Sequence, residues 1–287
     1  MTTSSSLPFD PIAKKLQHLH RFLDETKNTA KMPLLFLGHG SPMNAIEDNE
    51  FVASFRSLGK EIEKPTAILV ISAHWETRGT YVTAMEHPRT IHDFGGFPQA
   101  LFDVQYPAPG QPALAEAVQE LLTPTPVGLD HEWGLDHGSW SVVKHLYPDA
   151  DVPVIQMSID YMQPASYHYE LAKSLAPLRH KGVLIVGSGN MVHNLRKISW
   201  GHLNSHYAFD WALEASDKMK GFILDGNHQA LIDFDKQGSA FELAIPTPEH
   251  YLPMLYSVAL QEKNEDLVLF NDSPIGGSLT MTSLKIG

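Results

Sequence analysis

Four short apolar runs set the strongest limit on how this chain can fold: PLLFL (Pro33–Leu37), AILVIS (Ala67–Ser72), VPVIQMS (Val152–Ser158) and VLIV (Val183–Val186). Val, Ile and Leu dominate each run and none alternates cleanly with polar residues, the pattern of strands buried on both faces. Helical patterns stand beside them: PALAEAVQELL after Gly110, YHYELAKSLAPL before the fourth run, then YAFDWALEASDKMKGFIL and EHYLPMLYSVALQEK. Strands interleaved with helices predict an α/β fold, a single domain with a central mostly parallel or mixed sheet flanked by helices. GSLTMTSLKI, near the C-terminus, does alternate and predicts a strand at or near the sheet edge. Pro and Gly are scattered through loops rather than gathered at a boundary, and no repeat interrupts the pattern, so one domain is expected.

Ligand crevices of open α/β sheets lie beyond the carboxyl ends of the strands. The first run ends in Gly38-His39-Gly40, the second in Ala73-His74-Trp75, and the fourth in Gly187-Ser188-Gly189-Asn190 with His193 close behind. One histidine after a strand is ordinary loop chemistry; three at equivalent positions point to convergence. Imidazole is the commonest protein ligand for metals and the acid–base group of neutral pH. Gly38 and Gly40 let the backbone turn sharply and leave the ring between them uncrowded. His39 and His74 are therefore candidate metal ligands.

TPTPEHYLP adds Glu249 and His250. A helix capped by Thr247, with Pro248 at its first position, would put both in the first turn; Pro253 equally allows a later start that leaves both in a loop. WGLDHGSW sets His137 beside Asp136, and TIHDFGGFP sets His92, Asp93 and Phe94 in a glycine-rich aromatic loop. These loops read as pocket walls, with aromatic faces for a flat substrate and imidazoles for proton transfer.

Competing motifs are weaker. GSGNMV resembles a dinucleotide turn, but Val192 stands where the third glycine belongs. There is no G-x-S-x-G elbow, no Walker lysine and no H-E-x-x-H. Ser41 and His39 are too close in sequence to point together as a nucleophile–base pair. The absence of cysteine excludes disulfides and thiolate ligands. Acidic residues outnumber basic ones 33 to 21, and the net charge of −12 argues against nucleic acid and anionic membranes as partners. The first residues contain no apolar run of signal-peptide or membrane-spanning length, so a cytoplasmic enzyme is expected. Ile12, Leu16, Leu19 and Leu23 predict an amphipathic N-terminal helix.

From about Met32 onward, LFLGHGSPMNAIED, ISAHWETRGTYVTA, TIHDFGGFPQALFDVQYPAPG, DHGSW, SGNMVHNL and TPEHYLPMLY follow in order. Together they resemble the 4,5-DOPA extradiol dioxygenase family, of the LigB-like class III extradiol enzymes. The resemblance implies a LigB-like catalytic domain over residues 32–287, with residues 1–31 as an N-terminal extension. It implies an enzyme that opens the ring of a catechol, DOPA-like, with O2 and releases a muconic semialdehyde-type product. The implied cofactor is Fe(II), with Zn(II) as the alternative, held by His39, His74 and His250; Glu249 is the alternative third ligand. His193 matches the family's active-site histidine and carries two roles, fourth ligand or base. With His137 it would move the second hydroxyl proton at a near-neutral pKa. His92, Asp93, Phe94 and Ser41 are assigned to substrate binding. Two rival readings use the same histidines: a zinc hydrolase with bound water as nucleophile, and a binding protein without turnover. Physiological substrate, cleavage position and oligomeric state stay open.

Overall fold

The computed structural model describes residues 29–203 and 205–287; the expected helix around Ile12 to Leu23 lies outside them. Its strands are β1 (Leu34–Gly38), β2 (Ala67–Thr77), β3 (Thr80–Thr83), β4 (Val127–Asp130), β5 (Val154–Asp160), β6 (Val183–Gly189), β7 (Leu267–Phe270), β8 (Pro274–Ile275), β9 (Leu279–Thr280) and β10 (Ser283–Ile286). The longer helices are α1 (Glu50–Glu61), α2 (Pro112–Leu121), α3 (His137–Leu146), α4 (Ala165–Lys173), α5 (Asp210–Leu224) and α6 (Leu252–Ala259).

The four apolar runs form the parallel centre of an eight-stranded sheet ordered β4-β3-β5-β2-β6-β1-β10-β7. Antiparallel pairs flank that centre, β3 against β5 on one side and β10 against β1 and β7 on the other, so the sheet is mixed. The lack of alternation in the central runs has its cause in two separate cores. Leu34, Phe36, Leu69, Ile71 and Ile185 face one core, closed by α2, α4, α5 and α6. Leu35, Leu37, Ile68, Val70 and Leu184 face the other, closed by α1 and α3. With both faces covered, consecutive positions along the central strands are apolar instead of alternate ones.

Element ends depart from the sequence expectation in ways that matter. The third run starts at Val154 rather than Val152, because Pro153 has no N–H to give a ladder. β2 and β6 run past their apolar cores, to Thr77 and Gly189, so His74 sits inside a strand instead of after it. GSLTMTSLKI splits into β9 and β10, and β10 lies one strand in from the edge, covered by β7. Among the described residues no helix is long and apolar enough to cross a membrane.

Candidate metal centre and active site

His39 leaves β1 with its backbone tied down on both sides. Its N–H donates to Gly189 O (3.0 Å) and its carbonyl accepts from Asn44 Nδ2 (2.9 Å). Of the two glycines around it, one turns the chain as expected and the other acts differently. Gly40 turns at φ +61°, but a Cβ on Gly38 would stand 2.5 Å from the carbonyl oxygen of Met281, so Gly38 admits the neighbouring chain rather than clearing the ring. His39 Nδ1 lies 3.0 Å from Ser188 Oγ. That hydroxyl donates its proton to Gly138 O, so it accepts from the ring. The proton therefore sits on Nδ1, and the Nε2 lone pair of His39 faces the interior.

His74 projects where the pairing of β2 with β5 loses register, between Ile71 and Glu76. Its Nε2 lies 3.2 Å from His39 Nε2, and its Nδ1 lies 3.6 Å from Asp93 Oδ2. His250 occupies the turn before α6, so the later helix start is the one realised, and Thr247 caps nothing. The His250 carbonyl accepts from Asn190 N at 2.9 Å; a Cβ on Gly189 would stand 2.1 Å from that oxygen, which makes this docking against β6 dependent on glycine. His250 Nδ1 lies 3.0 Å from Glu249 Oε1, whereas its Nε2 is buried with no hydrogen-bond partner among the described residues.

The three rings converge. Centroids lie 4.9 Å apart for His39–His74, 5.2 Å for His39–His250 and 4.9 Å for His74–His250, and one nitrogen from each falls within 4.8 Å of the others. Burial, then the neighbouring imidazoles, holds His39 and His250 well below the usual histidine value; the same causes bring His74 to about 3. Three neutral imidazoles crowded together, one with an orphaned buried nitrogen, fit a divalent transition metal. A buried polar atom without a partner is otherwise costly.

His193 stacks on His250 with centroids 3.5 Å apart and planes 6° from parallel. It groups with Glu249 and His250 rather than with His39 and His74. Burial lowers its pKa to about 4, against a smaller opposing effect of Glu249, so the near-neutral value expected from sequence does not hold.

His137 is the first residue of α3, whose N-cap Asp136 accepts from Ser139 N. Asp136 is wholly buried and also accepts from Ser72 Oγ (2.7 Å) and from the Gln156 amide. Burial, then the charge of Asp93, raises its pKa above the usual carboxylate value. The Asp93 carboxylate accepts from the His137 backbone N–H (2.9 Å), and the same oxygen lies 2.9 Å from the ring Nδ1. Burial works to raise the Asp93 pKa, but the adjoining His137 ring and backbone N–H outweigh it and the net shift is downward. The His74 and His137 rings lie 3.9 Å apart, and Phe94 meets His137 edge-on at 5.5 Å.

Two assigned residues are engaged elsewhere. His92 Nε2 donates to Val104 O (2.8 Å), which fastens the loop carrying Asp93. Ser41 caps a short turn over Pro42–Ala45 by accepting from Met43 N. Sequence reasoning missed the supports Ser188, Asn44, Asn190 and Thr247. Of these, Ser188 left a signal: a hydroxyl closing a fully buried strand beside glycines.

Residues 33–273 match the family model described as the catalytic LigB subunit of aromatic ring-opening dioxygenase. A 4,5-DOPA dioxygenase extradiol from Escherichia coli (strain K12) is 49% identical over 269 residues, covering 92% of this chain and 98% of that protein. The enzyme of the same name from Beta vulgaris is 37% identical, covering 87% and 94% respectively. The crystal structure of an uncharacterized protein from Escherichia coli K12 superposes with a TM-score of 0.78 at 44% identity, covering 89% of this chain and all of that one.

Proposed function

This chain belongs to the LigB family of aromatic ring-opening dioxygenases, and on that premise we propose that it is an Fe(II) enzyme opening a catechol with a DOPA-like side chain beside its diol. Both atoms of O2 enter the product, a muconic semialdehyde-type acid. Residues 32–287 form the catalytic domain. The observation that carries the reading is the inward-facing imidazole set His39, His74 and His250, with the Nε2 of His250 buried and unpartnered.

Those three side chains would hold the ion. Bound there, ferrous iron supplies open positions for the catechol oxygens and O2 and acidifies the phenol. The remaining work falls to the chain. His193 is neutral at pH 7, since burial pushes its pKa to about 4. Its lone pair would take the second hydroxyl proton from a phenol already acidified by the ion and return it later in the cycle. Stacking on His250 fixes where this transfer occurs. Asp93 holds His137 and backs His74, and Phe94 offers an aromatic wall against which a flat ring can lie.

The test is anaerobic reconstitution with Fe(II) or Zn(II), followed by air and a panel of catechols including DOPA. Oxygen uptake and a yellow product are expected with iron alone. Turnover without oxygen, or equal turnover with zinc, would replace the dioxygenase by a zinc hydrolase.

A further inference from the structure

The three imidazoles differ in what stands behind them. His39 is backed by a neutral hydroxyl, Ser188, at 3.0 Å. His74 has a carboxylate behind it, Asp93, but at 3.6 Å and shared with His137. His250 alone has a carboxylate at hydrogen-bond distance, Glu249 Oε1 at 3.0 Å from Nδ1. The pair is largely buried, with the side chains 8% and 16% exposed.

Glu249 is also held. Thr247 Oγ1 donates to the same oxygen at 3.0 Å. The turn beneath is closed by Tyr251 N and Leu252 N donating to Pro248 O, and Asn190 N pins the His250 carbonyl from β6. An ionised carboxylate only accepts, so the shared proton sits on His250 Nδ1 and the Nε2 lone pair points into the buried space where it has no other partner. A carboxylate on the distal nitrogen of a ligating histidine fixes its tautomer and ring orientation and raises its basicity.

We propose that Glu249 is a positioning residue for His250, giving the centre a negative charge one hydrogen bond away from the ion instead of as a ligand. The inference rests on the three-imidazole centre proposed above. It competes with the alternative in which Glu249 itself is the third ligand: Oε1 accepts two hydrogen bonds, both within the turn, and the metal stoichiometry of the variants separates the two.

The test is titration of the full-length apoprotein with Co(II) and Zn(II), reading the visible Co(II) spectrum, stoichiometry, and affinity by chelator competition. Glu249→Gln keeps an acceptor near the same place and removes its charge; Glu249→Ala removes both. Each variant should still bind one ion. Affinity should weaken by about 10-fold in the Gln variant and towards 100-fold in the Ala variant. Melting of the metal-free variants should stay close to wild type, which separates tuning from a fold defect. Wild-type affinity in both variants would overturn the inference, since the carboxylate would then do nothing for the ligand. Complete loss of the ion in Glu249→Gln, matching His250→Ala, would also overturn it by making Glu249 a ligand. If His250→Ala binds as well as wild type, the three-imidazole centre itself fails, an outcome distinct from either.

Discussion

At their amino ends β1 and β6 meet Arg179; at their carboxyl ends they meet the imidazoles. Both assemblies are polar and buried, yet they are built oppositely. Arg179 is fully buried and each of its three nitrogens has a partner: Nε to Met32 O (2.8 Å), Nη1 to Leu260 O (3.1 Å) and Glu265 Oε2 (3.0 Å), Nη2 to Glu265 Oε1. Lys31 adds a second cation to Glu265 at 2.8 Å. Such a network is complete in itself and holds the chain entering β1 to the segment after α6. The histidine end is incomplete. Two nitrogens, His250 Nε2 and His137 Nδ1, make no hydrogen bond among the described residues, and the Nε2 atoms of His39 and His74 face each other at 3.2 Å. A satisfied network keeps shape; an unsatisfied one aimed at a common point waits for a charge from outside.

The contrast breaks most visibly at the histidines. His74→Ala should lose the metal and with it all measurable turnover, while the apoprotein still folds, as metal analysis and circular dichroism would check. His193→Ala should keep most of the metal and lose about 10²–10⁴-fold in kcat, the range of a lost acid–base group. Stoichiometric metal loss in that variant would make His193 a fourth ligand and extend the incomplete network by one residue.

The opposite result is expected at the other end. Arg179→Ala should cost about 3–5 kcal/mol in denaturant unfolding, because Glu265 is left buried without its main partner. Metal affinity of the folded fraction should hardly change. Acid offers a second way to break the same clamp. Burial raises the Glu265 pKa, but the bonds from Arg179 and Lys31 outweigh it and draw it from 4.5 down to about 2. The unfolded chain therefore binds this proton first. The stability it confers is full above about pH 4.5 and is lost as pH falls towards 2. In Arg179→Ala that acid limb should flatten, as urea midpoints across this range would show.

The two ends also differ in how far the sequence disclosed them. The histidine end was legible because Gly-His-Gly after one apolar run and Ala-His-Trp after another mark the carboxyl edge of a sheet whose strands read plainly. Arg179 left no such mark. It sits in RHK before the fourth run, which reads as a surface charge cluster, and its partner Glu265 is 86 residues away. Long-range polar pairing has no periodicity to announce it. The same reason hid the pairing of Ser188 with His39, 149 residues away, and the bond from His92 to a carbonyl 12 residues on. Strand ends erred where β2 and β6 continue beyond their apolar cores, since backbone pairing continues through polar side chains once neighbouring strands are in place.

Ser188→Ala gives the smallest effect and the finest test, because Ser188 belongs to both kinds of network. Its hydroxyl donates to Gly138 O, tying β6 to α3, and accepts from His39 Nδ1, setting which nitrogen faces the centre. Removing it leaves a carbonyl and a ring N–H unpaired in a buried place, at about 1–3 kcal/mol of stability. It also frees His39 to exchange tautomers, and the form with its proton on Nε2 has no lone pair for an ion. Metal affinity should therefore fall by about 10-fold, the lower end for lost support of a ligand. Turnover at saturating metal should stay near wild type, since no group that touches the substrate is changed. Chelator competition and a urea titration on the same preparation would read the two losses separately. Loss of stability with unchanged affinity would put Ser188 with Arg179, as a residue that only holds shape, and would show that the ring orientation of His39 is set by packing alone.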